Sequence, residues 1–320
     1  MQEMNSRQEM TYWVDGAFVP ASKALVPINN RGYRLGDGVF DTERTFNGKL
    51  FKLAAHMERL ERSLKYTRIP LGMSFDKLAK LTQETLERNL PLLEQHGDFW
   101  VTQTVSRGGG KNVLDAQDSL VSIIVEPLPF SRYAPYYDKG IPVVAPAMRS
   151  TAQQGMDPKL KATSRLNMVL ADLEAKQVDP EALSLLLDEQ GNLAEVIYGN
   201  LFLVRGGTIR TPTSRSILEG VTRDTTLELI RKKGMTVVES ELQLYDLYTA
   251  DEAFVTTTSY CVMPVGKLNG AAIGKATPGP VTRRVMDAWI EMVGVDYVAQ
   301  MRSYAARAGK PVPAPRVAAR

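Results

Sequence analysis

Three prolines fall within ten residues at Glu126–Pro135 (EPLPFSRYAP), where neither a helical nor a strand period survives. Proline lacks the backbone N–H that both elements use and restricts the residue before it, so such a cluster divides a chain. On that division residues 11–127 are expected to form a small domain, 128–137 a linker, and 138–303 a larger second domain. A length of 320 residues suits two domains better than one. Residues 1–10 are polar, and the tail 304–320 is rich in Ala, Pro and Arg. Both are expected to be disordered extensions, with Met10 a candidate alternative start.

Before the division, apolar and polar residues alternate over Thr11–Pro20 around Asp15-Gly16, and Asn47-Gly48 returns Val39–Phe46 to Lys49–Leu53. Both are hairpin signatures, because these turns need residues that tolerate positive φ. Leu53, Met57, Leu60 and Leu64 share a helical face, predicting a helix over 53–66, and Ser74–Leu90 repeats the pattern. Asp98–Ser106 and Leu120–Glu126 read as strands and Asn29–Gly32 as a loop. After the division, strands are expected at Ile141–Ala147, Ala182–Leu187, Leu193–Tyr198, Leu201–Arg205, Thr208–Thr211 and Ala253–Thr258. Helices are expected over Arg165–Lys176, with Leu166, Val169, Leu170 and Leu173 inward, over Val221–Lys233 closed by Gly234, and over Pro280–Val293 as the last element. The fold class is therefore α+β.

Composition removes several function classes. A net charge of +3 comes from Lys and Arg interleaved with acids, without the basic stripe of a nucleic-acid binder. No run approaches the roughly 18 apolar residues of a membrane span, and the N-terminus has no apolar signal segment. One cysteine, Cys261, excludes an internal disulfide framework and suits a reducing cytoplasm. Two histidines and no paired cysteines argue against a His/Cys zinc site. Gly108-Gly109-Gly110-Lys111 mimics a phosphate loop, but Val105 stands where its first glycine belongs and Asn112 where Ser or Thr should hold Mg²⁺. No Gly-x-Ser-x-Gly elbow is present.

A different constellation survives. Lys161 opens Lys161-Ala162-Thr163-Ser164-Arg165-Leu166-Asn167, Glu195 and Asn200 lie in Leu193–Phe202, and Leu218-Glu219-Gly220-Val221-Thr222 leads into a helix. With Arg31–Phe40, His56-Met57-Glu58-Arg59-Leu60, Asp251–Thr258 and Met263-Pro264-Val265 in the same order, the chain resembles the class IV, or fold-type IV, pyridoxal-phosphate enzymes over roughly Trp13 to Met292. That group holds branched-chain and D-amino-acid aminotransferases, (R)-amine transaminases and aminodeoxychorismate lyases.

The resemblance implies a D-amino-acid-aminotransferase-like two-domain fold with a β-barrel-like core in the larger domain. It implies pyridoxal 5′-phosphate as cofactor and Lys161 as its Schiff-base lysine, with Lys159 the nearest rival and Lys176 a solvated helix residue. Such a lysine must be neutral at working pH, hence desolvated or set near positive charge. Glu195 is implied as partner of the ring nitrogen, which keeps the cofactor an electron sink. Arg59, Asn200, Leu218, Val221, Thr222, Thr257 and Thr258 are implied to hold the cofactor, with the phosphate at a guanidinium and a helix N-terminus.

The activity implied is ping-pong transfer of an amino group from an amino acid or (R)-amine to a 2-oxo acid, in a homodimer or larger homo-oligomer. Substrate contacts fall at Phe40, Thr42, Arg44, Thr102 and Ser259, with Arg44 a candidate carboxylate partner. The substrate end departs from every subgroup. The Arg-x-His pair of the D-amino-acid enzymes is missing from Ser106–Leu114, and Leu166 and Thr102 stand where branched-chain enzymes have Tyr and Arg. Thr42 keeps open an aminodeoxychorismate lyase releasing pyruvate and 4-aminobenzoate, and a non-catalytic binding protein is the remaining alternative.

Overall fold

A computed structural model describes residues 9–110, 112–113 and 118–307. The expectations for residues 1–8 and 308–320, and for Lys111 and Leu114, lie outside the described residues. Strands β1–β6 (Thr11–Val14, Ala17–Pro20, Gly38–Phe46, Lys49–Leu50, Phe99–Ser106, Leu120–Pro127) form one antiparallel sheet in the order β2-β1-β6-β5-β3-β4. Its inward residues Val39, Val101, Ile123 and Val125 pack against Leu60, Leu64, Leu78 and Leu86 of helices Leu53–Thr67 and Phe75–Asn89. Ser74 caps the second helix by accepting the Lys77 N–H.

Beyond residue 140 lie β7–β15: Ile141–Val144, Leu183–Leu187, Leu193–Val196, Gly199–Arg205, Thr208–Thr211, Val237–Glu239, Glu252–Thr257, Cys261–Leu268 and Ala271–Ala272. Six of them close on themselves as β10-β13-β14-β7-β8-β9, with β9 returning to β10. This is the barrel-like core that the family resemblance implied. Closure removes edges, so strands such as β13 and β8 are buried along their whole length. Helices Val221–Lys232 and Pro280–Val293 cover the barrel, burying Ile230, Val285 and Trp289.

Several local expectations are corrected. Asn30 caps a short helix, Arg31–Leu35, rather than sitting in a loop. The stretch from 126 leads into two helical turns, Phe130–Tyr133 and Tyr136–Lys139, whose aromatic side chains are buried, because proline tolerates helix starts. Met263-Pro264-Val265, one of the landmarks of the resemblance, lies inside β14. Pro280–Val293 is not the last element. Tyr297–Arg307 is a further helix anchored by buried Tyr297 and Met301, and Tyr304 stacks on Phe130. Glu9 is tied in as well, accepting from Ser22.

The largest correction concerns helix Leu166–Val178. Leu166, Val169, Leu170 and Leu173 are exposed (41–70%), and the helix instead buries Ala171 and Ala175 against β8 and β7. Helical spacing showed correctly that these leucines share a face, but not what that face meets.

Asp98 knots the β3–β4 turn to the C-terminal helix. Its carboxylate accepts from Thr45 Oγ1 (2.6 Å), the Asn47 and Gly48 amides (3.0 and 2.9 Å) and Gln300 Nε2 (2.7 Å). Asp98→Ala is expected to lower unfolding free energy in urea by about 2–4 kcal/mol, because it strands buried donors. A loss under about 0.5 kcal/mol, the level of an ordinary surface change, would show the knot to be dispensable.

Candidate active site

Alternation along β3 puts Phe40 and Thr42 on the cavity side and Asp41 and Glu43 against the helices. The chain around Lys161 runs antiparallel beside this strand through a bridge between Val39 and Ala162. The Phe40 amide donates to the Lys161 carbonyl (3.0 Å) and the Thr163 amide to the Gly38 carbonyl (2.9 Å). The Lys161 backbone is thereby fixed, and its amine lies 4.6 Å from the centre of the Phe40 ring. Burial, then Arg59 and Arg165, push the Lys161 pKa down to about 7 against the pull of Asp41 and Glu195. The side chain keeps some access to cavity water, which tempers burial, but two guanidinium groups act in the same direction. Much of this amine is neutral at neutral pH.

Glu195 stands on β9 with its carboxylate buried, accepting the Leu218 amide at 3.0 Å. Burial raises its pKa, opposed by that amide and by Arg165, Lys161 and Arg59. Asn200, across from Glu195 on β10, donates to the Leu218 carbonyl (3.0 Å). Leu218 therefore straps the loop to two strands through its backbone alone. That loop ends at Gly220, the N-cap of helix Val221–Lys232. A Cβ at Gly220 would lie 2.2 Å from Asn200 Oδ1, so only glycine lets the helix start this close.

The helix N-terminus faces an anion-binding corner. Arg59 gives Nε and Nη2 to Asp41 and Nη1 to the Glu219 carbonyl, leaving two N–H groups of its five donors. Val221 and Thr222 offer helix-start amides, and Thr257 and Thr258 lie alongside at the end of β13. Thr257 Oγ1 donates to the Tyr198 carbonyl (2.6 Å) and Thr258 Oγ1 to the Thr42 carbonyl (3.3 Å).

These groups surround one cavity of about 390 Å³. Of the residues singled out in the sequence, Phe40, Thr42, Arg59, Thr102, Lys161, Glu195, Asn200, Leu218, Val221, Thr222, Thr257, Thr258 and Ser259 line it. Arg44 does not. It is buried behind the wall, donating to the Ser259 carbonyl (3.1 Å) and Cys261 Sγ (3.4 Å) over the Phe46 ring, so it is no substrate partner. Lys159 also lies outside, paired with Asp157 at the surface. Sequence reasoning missed Arg165, Tyr198, Trp100 and Arg132 in the lining, and Asp41 and His56 behind it. The only available signal for Asp41 was its phase on a strand where its neighbours face the cavity.

The set fits the cofactor expected from the resemblance. A near-neutral amine suits its aldehyde, a buried carboxylate its ring nitrogen, and the guanidinium with helix amides its phosphate. The glycine at the helix start leaves the phosphate corner open.

Comparison with known proteins agrees. The model of the amino-transferase class IV family matches residues 38–268. A putative branched-chain-amino-acid aminotransferase of Methanocaldococcus jannaschii is 31% identical over 283 residues, 87% of this chain and 94% of its own length. A D-alanine aminotransferase of Bacillus licheniformis is 28% identical over 276 residues, 86% of this chain and 94% of its own. Among solved structures, a T.th. branched-chain amino acid aminotransferase with pyridoxamine 5′-phosphate superposes with a TM-score of 0.82 at 28% identity, covering 89% of this chain and 94% of its own.

The depressed Lys161 pKa has a direct readout. Labelling of Lys161 by a small aldehyde, trapped with borohydride and located by mass spectrometry, is expected to rise about tenfold per pH unit below neutrality and to level off above it. A rate still climbing near pH 10, as for an ordinary lysine of pKa about 10.4, would refute the assignment.

Proposed function

The chain belongs to the class IV aminotransferases, and from that premise we propose that its cavity moves the amino group of an L-branched-chain amino acid to a 2-oxo acid. Enzymes of this class use pyridoxal 5′-phosphate, and this is a transaminase of fold type IV. The carrying observation is Lys161, an amine held near neutrality by burial and by the charges of Arg59 and Arg165 in the main cavity. When bound, the cofactor supplies a carbonyl and an electron-poor ring that stabilises negative charge on the substrate carbon.

The chain's own residues do the rest. Lys161 Nζ anchors the cofactor and takes and returns the proton at the substrate carbon, a task suited to a base poised near working pH. Glu195, buried on β9, would meet the ring nitrogen and favour its protonated form. Arg59, Val221, Thr222, Thr257 and Thr258 hold the phosphate, with Asn200 and Leu218 keeping their loop in place. Phe40 covers one side of the Lys161 amine and keeps bulk water off it.

Substrate choice is read from the far end. Phe40, Trp100, Ile124, Tyr133 and Ile197 give it an apolar wall, and the Thr42 and Thr102 hydroxyls bond each other at 2.9 Å. An apolar side chain suits this wall. The lyase and non-catalytic alternatives are not favoured. The relatives named above are aminotransferases matched over nearly their full length, and a merely structural cavity has no need of a neutral amine. In half-reactions with L-leucine, D-alanine and (R)-1-phenylethylamine, L-leucine is expected to react fastest, and Lys161→Ala to slow it by at least about 10²–10⁴-fold. D-alanine or the amine reacting fastest would overturn the substrate reading while leaving the transaminase in place.

We also propose a homodimer in the cytoplasm. The exposed Leu166, Val169, Leu170 and Leu173 make an apolar stripe on the helix that follows Lys161, and a second copy would cover it. The lone cysteine, Cys261, is buried, and a chain with one cysteine has no internal disulfide to depend on. No helix among the described residues is long and apolar enough to cross a membrane. Light scattering is expected to give twice the chain mass, and Leu170→Glu to shift it toward the monomer. A monomeric parent protein would sink the dimer.

A further inference from the structure

Arg165 is a cation inside the cavity that no carboxylate among the described residues holds by a direct bond. Its guanidinium lies 5.5 Å from the centres of both the Phe40 and Tyr198 rings. One Nη donates to the Met168 sulfur, Nε has no partner among the described residues, and Glu195 acts on it only through space. Aromatic faces compensate a buried guanidinium in part, but a desolvated charge short of hydrogen bonds is unfavourable until an anion arrives.

Position selects the anion. Arg165 lines both the main cavity and a smaller adjoining space that it shares with Lys161, Glu195 and Leu218. Thr222, Thr257 and Thr258 line the main cavity and a different small space, beside Arg44 and His56. The threonines of the phosphate corner and Arg165 thus border different side spaces of the cavity, and Lys161 and Glu195 share the one that Arg165 borders. In pyridoxal phosphate the ring hydroxyl neighbours the aldehyde carbon on the side away from the phosphate arm. We propose that Arg165 pairs with this ring oxygen as an oxyanion, and is a positioning and electrostatic residue for Lys161 rather than the holder of the substrate carboxylate. The inference rests on the reading of the cavity as a pyridoxal-phosphate site. A cation at that oxygen keeps it deprotonated and disfavours a further positive charge on Lys161 Nζ, the direction in which Arg165 already acts.

The test uses holoenzyme, with absorbance of the bound cofactor titrated against pH, cofactor affinity by fluorescence, and inhibition by 4-methylvaleric acid, a carboxylate without an amino group. Arg165→Gln is expected to weaken cofactor affinity about tenfold and to raise the midpoint of the absorbance transition by about one pH unit, as loss of a charge-assisted bond should. Arg165→Lys should restore part of both, and the inhibition constant should stay within about twofold of wild type, below what loss of a charged hydrogen bond produces. If 4-methylvaleric acid binding collapses and the midpoint stays put, Arg165 serves the substrate carboxylate and the proposal is wrong. An unmoved midpoint with unmoved affinity overturns it too. Should the glutamine variant lose its circular dichroism signature, the lysine variant decides by the same midpoint. Wild-type protein that takes up no cofactor at all would instead bring down the underlying reading of the cavity.

Discussion

Asp41 lies fully buried on β3 with both carboxylate oxygens engaged. Arg59 Nε reaches Oδ2 at 2.8 Å and Nη2 reaches Oδ1 at 2.7 Å, while His56 Nδ1 and the Thr42 amide approach Oδ1 at 2.7 and 2.8 Å. Burial alone would raise this carboxyl's pKa. The Arg59 guanidinium and His56 instead hold it well below the ordinary carboxylate range. A forked pair of this kind fixes direction as well as charge. Because Asp41 takes one side of Arg59, Nη1 must reach the Glu219 carbonyl, next to the Gly220 helix start. One carboxylate on the first sheet thereby sets the phosphate corner against the second. Deleting one partner of such a pair leaves an uncompensated buried charge, typically about 3–5 kcal/mol, so the arrangement is held all or none.

Charge around this pair is rationed. Glu43 lies two residues along on the same face of β3, and burial lifts its pKa to about 8, against the Gln103 side chain that donates to it at 2.7 Å. It is largely protonated at neutral pH, so Asp41 does not face a second full negative charge two residues along the strand. On the cavity side the balance is reversed. Arg59, Arg165 and Lys161 face Glu195, and the excess of positive potential favours both a neutral lysine and a bound phosphate. The same feature that activates the amine attracts the group it must engage.

The two halves differ in how plainly their sequences reveal them. Hairpins at Asp15-Gly16 and Asn47-Gly48 were legible because their geometry is set within a few residues, at positive φ on Asp15, Gly16, Asn47 and Gly48. The cofactor end was legible because its residues act through short, ordered segments: a lysine, a strand glutamate and a helix start. Arg165 was not. An arginine just before a helix reads as a solvated end residue, and only the turn of Phe40 and Tyr198 around it makes it interior. Arg44 failed for the opposite reason. Alternation correctly gave it the phase of Phe40 and Thr42, but it lies farther along β3, where it meets the Ser259 carbonyl of loop 258–260 outside the cavity.

The substrate end shows why such sites resist reading in general. Its wall draws Phe40 from β3, Trp100 and Thr102 from β5, Ile124 from β6, Tyr133 from the proline-rich turns and Ile197 from the turn after β9. These elements span residues 40 to 197, and each contributes only one or two side chains, so no local pattern accumulates. The proline run reads as a linker because prolines stop regular structure. Here they set the starts of two helical turns that bring Tyr133 to the cavity and bury Tyr137, whose hydroxyl donates to the Tyr260 carbonyl at 2.8 Å. A segment anchored that way cannot swing freely. The shape of the substrate end therefore depends on how tightly Tyr133 and its neighbours pack, a property of packing density rather than of any motif.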